Sequence, residues 1–183
     1  PRVTQVAKRL CGVYLFLTIV LVGLLWVGPM NLFDAVNHAL TCIATGGYST
    51  KNASIAHWNS PYIEYVLTFF MFVGATNITL IYFCLNGKPL KLLKDEESRW
   101  YFWIVAIATI ATMIWVLSKG FVSGFEEAFR QSIFQVVTLI TTCGYATVDY
   151  ISWGSFFWLV ALFLMLVCGC AGSTSGGLKM GRF

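Results

Sequence analysis

The sequence has 183 residues, 58% of them hydrophobic, 16% aromatic and only 11% charged, against about 25% charged in an ordinary soluble domain. That composition excludes a soluble domain and points to a membrane protein. The net charge of +4 is modest, and the basic residues lie at the ends of apolar runs rather than along one polar face, which excludes a nucleic-acid binder.

The first apolar run, about Leu10 to Val27, has the length of a spanning helix, which needs about 20 predominantly apolar residues. It is too long for a signal peptide and lacks a small-residue cleavage site. A chain that starts at proline rather than methionine is expected to be a piece of something longer. Next comes "NLFDAVNHALTCIATGG", a semi-apolar helical pattern that breaks at glycine after about 10 to 15 residues. It is too short to cross, so a re-entrant segment is expected. Asp34 at its start suits the positive end of a helix dipole, and His38 within it reads as structural.

Pro61 to Leu85 is the second expected span, with Glu64 in its first turn after a helix-starting proline. Asn77-Ile78-Thr79, a glycosylation-like triplet, lies inside this span and is given no weight. "CLNGKPLKLLKDEESRW" mixes charges of both signs and reads as a solvated connection. Trp100 to Leu117 is the third span. A second short segment, "FEEAFRQSIFQVVTLITTCG", follows, with Glu126 and Glu127 at its start, and Ile151 to Cys170 is the fourth span. Asp149 either draws cations to an outer mouth or is an ordinary loop acid. Trp26, Trp58, Trp100 and Trp153 fall near span ends, where interfacial tryptophans are expected.

Orientation follows from the basic residues. With a cytoplasmic N-terminus and both short segments dipping in from the far side, Arg2, Lys8, Arg9, Lys88, Lys91, Lys94, Arg99, Lys179 and Arg182 are inside. Only Lys51, Lys119 and Arg130 are outside.

The sharpest signal is a repeat. "TCIATGGYST" at 41–50 returns as "TLITTCGYAT" at 138–147, aligning Thr41 with Thr138, Thr45 with Thr142, Gly47 with Gly144 and Tyr48 with Tyr145. A shift of two fewer positions aligns Trp58 with Trp153 and Gly74 with Gly169. Each unit thus reads as spanning helix, dipping helix, T-x-G-Y turn and second spanning helix, and such repeats surround a shared pathway. A central glycine admits backbone angles closed to other residues. Carbonyls then turn toward one axis and replace the water of a dehydrated cation, with the helix C-terminus aimed at the same axis. The alternative is a tight glycine turn duplicated with its gene.

"HALTCIATGGYST", "FQVVTLITTCGYATVDY" and the glycine- and serine-rich "GCAGSTSGGLKMGR" at 169–182 resemble the pore segments and following helix break of the Trk/Ktr/HKT superfamily of potassium transporters. The resemblance implies an all-α integral membrane fold of repeated helix–pore-loop–helix units, related to the potassium-channel pore. It places residues 1–87 as the second unit and 88–183 as most of the third, with the first and fourth absent, so that this chain alone does not enclose a pore. By resemblance Thr45, Gly46 and Gly47, with Thr142, Cys143 and Gly144, supply the selectivity filter through their backbone carbonyls. Cys143 departs from the commoner threonine. Compared with the T-V-G-Y-G filter of potassium channels, Ser49 and Ala146 replace the second glycine, which implies fewer stacked sites and weaker discrimination.

The resemblance also implies an intramembrane gating loop over 169–179, with small residues Gly172, Ser173, Thr174, Ser175, Gly176 and Gly177 giving flexibility and Lys179 a fixed charge. The order G-x4-G-K-[ST] of a phosphate-binding loop is not met there. Potassium is then the transported substrate, taken up across the cytoplasmic membrane, with no cofactor. Membrane lipid, a second copy of the full-length protein and a cytoplasmic nucleotide-binding regulatory subunit are the implied partners. Rival readings are a non-conducting scaffold fragment and a sodium/potassium-permeable member of the same superfamily. A thiol enzyme using Cys143, Cys168 or Cys170 lacks a nearby base or paired cysteine, so no enzymatic activity is expected.

Overall fold

The computed structural model describes residues 3–87, 90–122 and 124–179. Arg2, Lys88 and Arg182 of the charge count lie outside them, as do the last residues of the glycine- and serine-rich motif. Helix α1 (Val3–Val27) and helix α6 (Glu96–Ser118) are each long and apolar enough to cross a membrane. Both turn large apolar side chains outward, among them Ile19, Ile107 and Ile114, a surface suited to lipid rather than water. Helix α6 starts four residues earlier than expected because Asp95 caps it, accepting from the Ser98 amide at 2.9 Å and the Ser98 hydroxyl at 2.8 Å.

The second expected span is broken. Helix α3 (Pro61–Gly74) and helix α4 (Ile78–Leu85) meet at 107° across Ala75–Asn77. Asn77 caps α4 by accepting from the Thr79 amide at 2.9 Å, so the triplet that resembles a glycosylation signal is a helix start. The fourth span is shorter than expected. A 3₁₀ turn occupies Tyr150–Trp153, and helix α8 runs only over Ser155–Leu166, twelve residues or about 18 Å. The chain then extends, and strand β1 (Val167–Cys168) pairs in parallel with strand β2 (Leu178–Lys179), closing the segment between them into a loop. The fold is otherwise helical. Within the solvated connection, Leu90–Lys94 forms a short helix, α5.

The two dipping helices are α2 (Leu32–Ile43) and α7 (Phe125–Ile140). They pack inside the arrangement of longer helices: α2 against α1 and α3, α7 against α6, α3 and α8. From Phe134 to Ile140 every residue of α7 is buried, and α2 buries Ala35, His38, Ala39, Cys42 and Ile43. In lipid such burial gains close packing rather than escape from water, so shape complementarity around these two helices holds the centre together. The fully buried Tyr101, Phe134, Ile43, Leu67, Met71 and Ile140 form that centre.

Trp26 and Trp100 are exposed, as interfacial residues are, but Trp153 is buried and Trp58 half-buried against the His38 ring. The Trp115 indole donates to the Trp153 carbonyl at 2.9 Å, which fixes Trp153 in the core instead of at a lipid boundary.

Candidate ion site

Both T-x-G-Y turns have the same backbone. Thr45 and Thr142 take positive φ, 52° and 58°, and Gly47 and Gly144 do so at 63° and 89°, while Gly46 and Cys143 between them do not. Left-handed angles cost a β-branched residue about 1–2 kcal/mol, so two threonines holding them at equivalent positions mark a conformation imposed by their surroundings.

Hydrogen bonds at each helix end impose it. In the first turn the Thr45 amide donates to Cys42 O at 3.0 Å, and the Gly46 and Gly47 amides donate to Thr41 O at 2.7 and 3.3 Å. In the second, the Thr142 amide donates to Leu139 O at 3.0 Å, and the Cys143 and Gly144 amides donate to Thr138 O at 3.1 and 3.2 Å. A trans peptide points its carbonyl opposite its N–H. With the amides turned back on the helix, the carbonyls of Thr45, Gly46, Thr142 and Cys143 therefore face away from it. Among the described residues no backbone donor bonds to them. The arrangement presents two short rows of unpaired carbonyl oxygens, the chemistry that replaces a cation's hydration shell.

The two turns also touch. Gly47 lies against the Cys143 carbonyl, and Tyr145 from the second turn reaches the end of α2, where its hydroxyl meets Thr41 Oγ1 at 2.6 Å and donates to His38 O at 3.1 Å. Above this contact the Ala56 amide donates to Ala146 O at 3.2 Å and the Ala146 amide to Ser54 Oγ at 3.3 Å.

The chain after the first turn is fixed by buried polar groups. His38 Nδ1 meets Asp34 O at 2.7 Å and Nε2 meets Ser49 Oγ at 2.9 Å, and burial holds the ring below the usual histidine range. This bears out its structural reading. The Asp34 carboxylate accepts from Thr50 Oγ1 at 2.5 Å and pairs with Lys51 at 3.4 Å. The Thr50 bond, aided by Lys51, holds Asp34 below the usual carboxylate range. Asp149 caps the 3₁₀ turn, accepting from the Ile151 amide at 3.1 Å.

The glycine- and serine-rich loop sits against both turns. Thr45 Oγ1 donates to Thr174 O at 2.9 Å, and the Gly176 amide donates to Thr142 Oγ1 at 2.9 Å. Its base is stapled to the break between α3 and α4: the Cys170 amide donates to Ala75 O at 3.0 Å, the Ile78 amide to Gly172 O at 3.2 Å and Thr174 Oγ1 to Gly74 O at 3.0 Å. The Lys179 ammonium donates to the Ser175 carbonyl and to the hydroxyls of Ser173 and Ser175, each at 3.2 Å. The structure thus brings the two turns together and, through Thr174 and Gly176, sets the loop that follows α8 against them.

Sequence reasoning missed the pairing of α3 with α7. Arg130 Nη1 meets Glu64 Oε2 at 2.6 Å, and Nε meets Glu126 Oε1 at 3.0 Å. Tyr65 OH donates to the same Glu126 oxygen at 3.0 Å. Helix-dipole arguments account for each acid separately and give no sign of the partner.

Comparison with known proteins yields one consistent answer. The family model described as "TrkH: Cation transport protein" matches residues 1–183. The Trk system potassium uptake protein TrkH of Vibrio parahaemolyticus is 35% identical over 185 residues, covering 100% of this chain and 38% of the relative. TrkG of Escherichia coli K12 is 33% identical over 184 residues, again over 100% of this chain and 38% of the relative. The crystal structure of the potassium transporter TrkH from Vibrio parahaemolyticus superposes with a TM-score of 0.94 at 34% identity, covering 100% of this chain and 40% of that one. The chain therefore spans about two fifths of the length of the relatives it matches.

Proposed function

The chain belongs to the TrkH family of cation transport proteins, and from that premise we propose that it contributes two of four walls of a potassium-uptake pathway. The filter residues are Thr45, Gly46 and Gly47 on one wall and Thr142, Cys143 and Gly144 on the other. The observation that carries this reading is the shared backbone of the two turns, with amides folded onto the helix ends and carbonyls that take no backbone donor among the described residues. Ion coordination by carbonyls needs no charged side chain, and neither decapeptide has one.

The two halves 1–87 and 88–183 act as successive units of one ring. Tyr145 of the later unit is buried against the helix of the earlier one, whereas its counterpart Tyr48 is 79% exposed. Tyr48 in this reading packs against a preceding unit in the complete protein. The loop 169–179 gates the pathway beneath the filter. The N-terminus of this chain faces the cytoplasm, and the complete protein acts in the cytoplasmic membrane as a homodimer with a nucleotide-binding regulatory subunit. It is a transporter rather than an enzyme.

The experiment is potassium-dependent growth rescue of an uptake-deficient bacterium by the complete protein. Gly47→Val and Gly144→Val each abolish rescue while the protein still reaches the membrane. Rescue that persists with potassium selectivity intact overturns the filter assignment.

A further inference from the structure

We propose that the hydroxyls of Thr45 and Thr142 serve as a latch that holds the 169–179 loop shut against the filter. This rests on the reading of that loop as a gate and goes beyond it, because it assigns two filter side chains, not only their carbonyls, to the closed state. The two contacts have opposite polarity. Thr45 Oγ1 shares its one proton between a loop carbonyl, Thr174 O at 2.9 Å, and the carbonyl of its own neighbour, Ala44 O at 2.8 Å, while Thr142 Oγ1 accepts from a loop amide, Gly176 N–H, at 2.9 Å. Backbone groups two residues apart on one loop thus grip two different filter walls, and displacing the loop breaks both bonds.

The geometry favours a latch over incidental contact. The loop side of each bond is backbone, so it is set by the path of the chain rather than by a rotamer. That path is fixed from below by Gly74, Ala75 and Ile78, and from the far end by Lys179. A β-carbon on Gly176 would stand 3.5 Å from Thr142 Oγ1, so the loop approaches this wall to van der Waals contact. Thr45 and Thr142 also keep positive φ, which sets where their β-carbons project. A neutral hydrogen bond shifts an equilibrium by up to about fivefold, so the pair biases the loop toward closure by at most about 20-fold.

The test is potassium flux through the complete protein in proteoliposomes. Thr45→Val and Thr142→Val keep the shape and the carbonyls and remove the hydroxyls. Each is expected to raise unstimulated flux by up to about fivefold, and the double variant by up to about 20-fold, with the potassium-to-sodium ratio unchanged. Thr45→Ser and Thr142→Ser restore the low flux. Lys179→Met, which frees Ser173 and Ser175 without touching the filter, raises flux in the same direction. If the valine variants lose flux or selectivity with no rise in unstimulated flux, the hydroxyls act on the ion alone and the latch is wrong. Deleting residues 173–177 separates the premise from the proposal. Raised flux in the deletion with unchanged flux in the valine variants sinks the latch and keeps the gate. Unchanged flux in the deletion sinks both.

Discussion

Gly47 and Cys143, on different turns and 96 positions apart, are in direct backbone contact. A β-carbon on Gly47 would overlap the Cys143 carbonyl oxygen and stand 2.7 Å from its carbon. Gly47 also holds φ at 63°. Two independent constraints, space and backbone angle, therefore select glycine here. Gly144 has the angle but meets nothing within 4 Å at its own β-carbon position.

The two glycines should consequently respond unequally to alanine. Gly47→Ala forces the walls apart and is expected to lose nearly all transport. Gly144→Ala meets only the left-handed strain, about 1–2 kcal/mol, and is expected to retain measurable uptake. Rubidium uptake by the complete protein carrying each variant, corrected for protein in the membrane, decides between this order and its reverse.

Tyr145 fixes the second turn to the first dipping helix through a hydroxyl that no water replaces, since the residue is 1% exposed. Tyr145→Phe keeps the ring packing against His38 and loses both hydrogen bonds. The expected cost is about 1–2 kcal/mol in thermal stability, with a lowered potassium-to-sodium ratio and little change in maximal rate. An unchanged ratio shows that the bond stabilises the fold without setting filter geometry.

The turns were legible in the sequence because their structure is local. Thr41 and Thr138 each accept from two amides five and six residues onward, so an echo in sequence is an echo in hydrogen bonding. The break at Ala75–Asn77 was not legible by hydropathy, because the residues around it are apolar and the freed backbone is satisfied from a distant loop through Cys170 and Gly172. Asn77 as a cap was the available signal, together with the alignment of Gly74 with Gly169, which places both helix breaks at equivalent points. Trp153 was misplaced because a tryptophan near a span end looks interfacial whether or not another helix covers it.

The Glu64–Arg130 pair joins α3 to α7 with side chains only 5% and 11% exposed. Removing one partner of a buried pair strands the other charge, at about 3–5 kcal/mol, while removing both is far milder. Arg130→Met is therefore expected to be strongly destabilising, Glu64→Gln less so because an acceptor remains, and the double variant Glu64→Met with Arg130→Met to recover most of the loss. Thermal unfolding in detergent checks this. Additive effects would mean that the pair does not couple the helices.

Asp34 extends the same reasoning to pH. Its carboxylate takes the Thr50 hydroxyl and the Lys51 ammonium, which together fix the chain just past the first turn, and the Thr50 bond is the main reason its pKa lies below the usual value near 4. A depressed folded-state pKa means that this stabilisation is complete above the unfolded value and is lost as pH falls through the lower, folded one. His38 packs beside it, but burial keeps that ring neutral to lower pH than a free histidine. Stability should thus be flat from neutral pH to about 5 in respect of this turn and decline only below about 4. Asp34→Asn imposes the protonated state at all pH values. It should cost about 2 kcal/mol at neutral pH, as expected for a bond to a charged group, and remove the acid limb. Lys51 is about one third exposed and screened, so Lys51→Met should change little beside it. If Lys51→Met matches Asp34→Asn, the ion pair and not the Thr50 bond holds the turn.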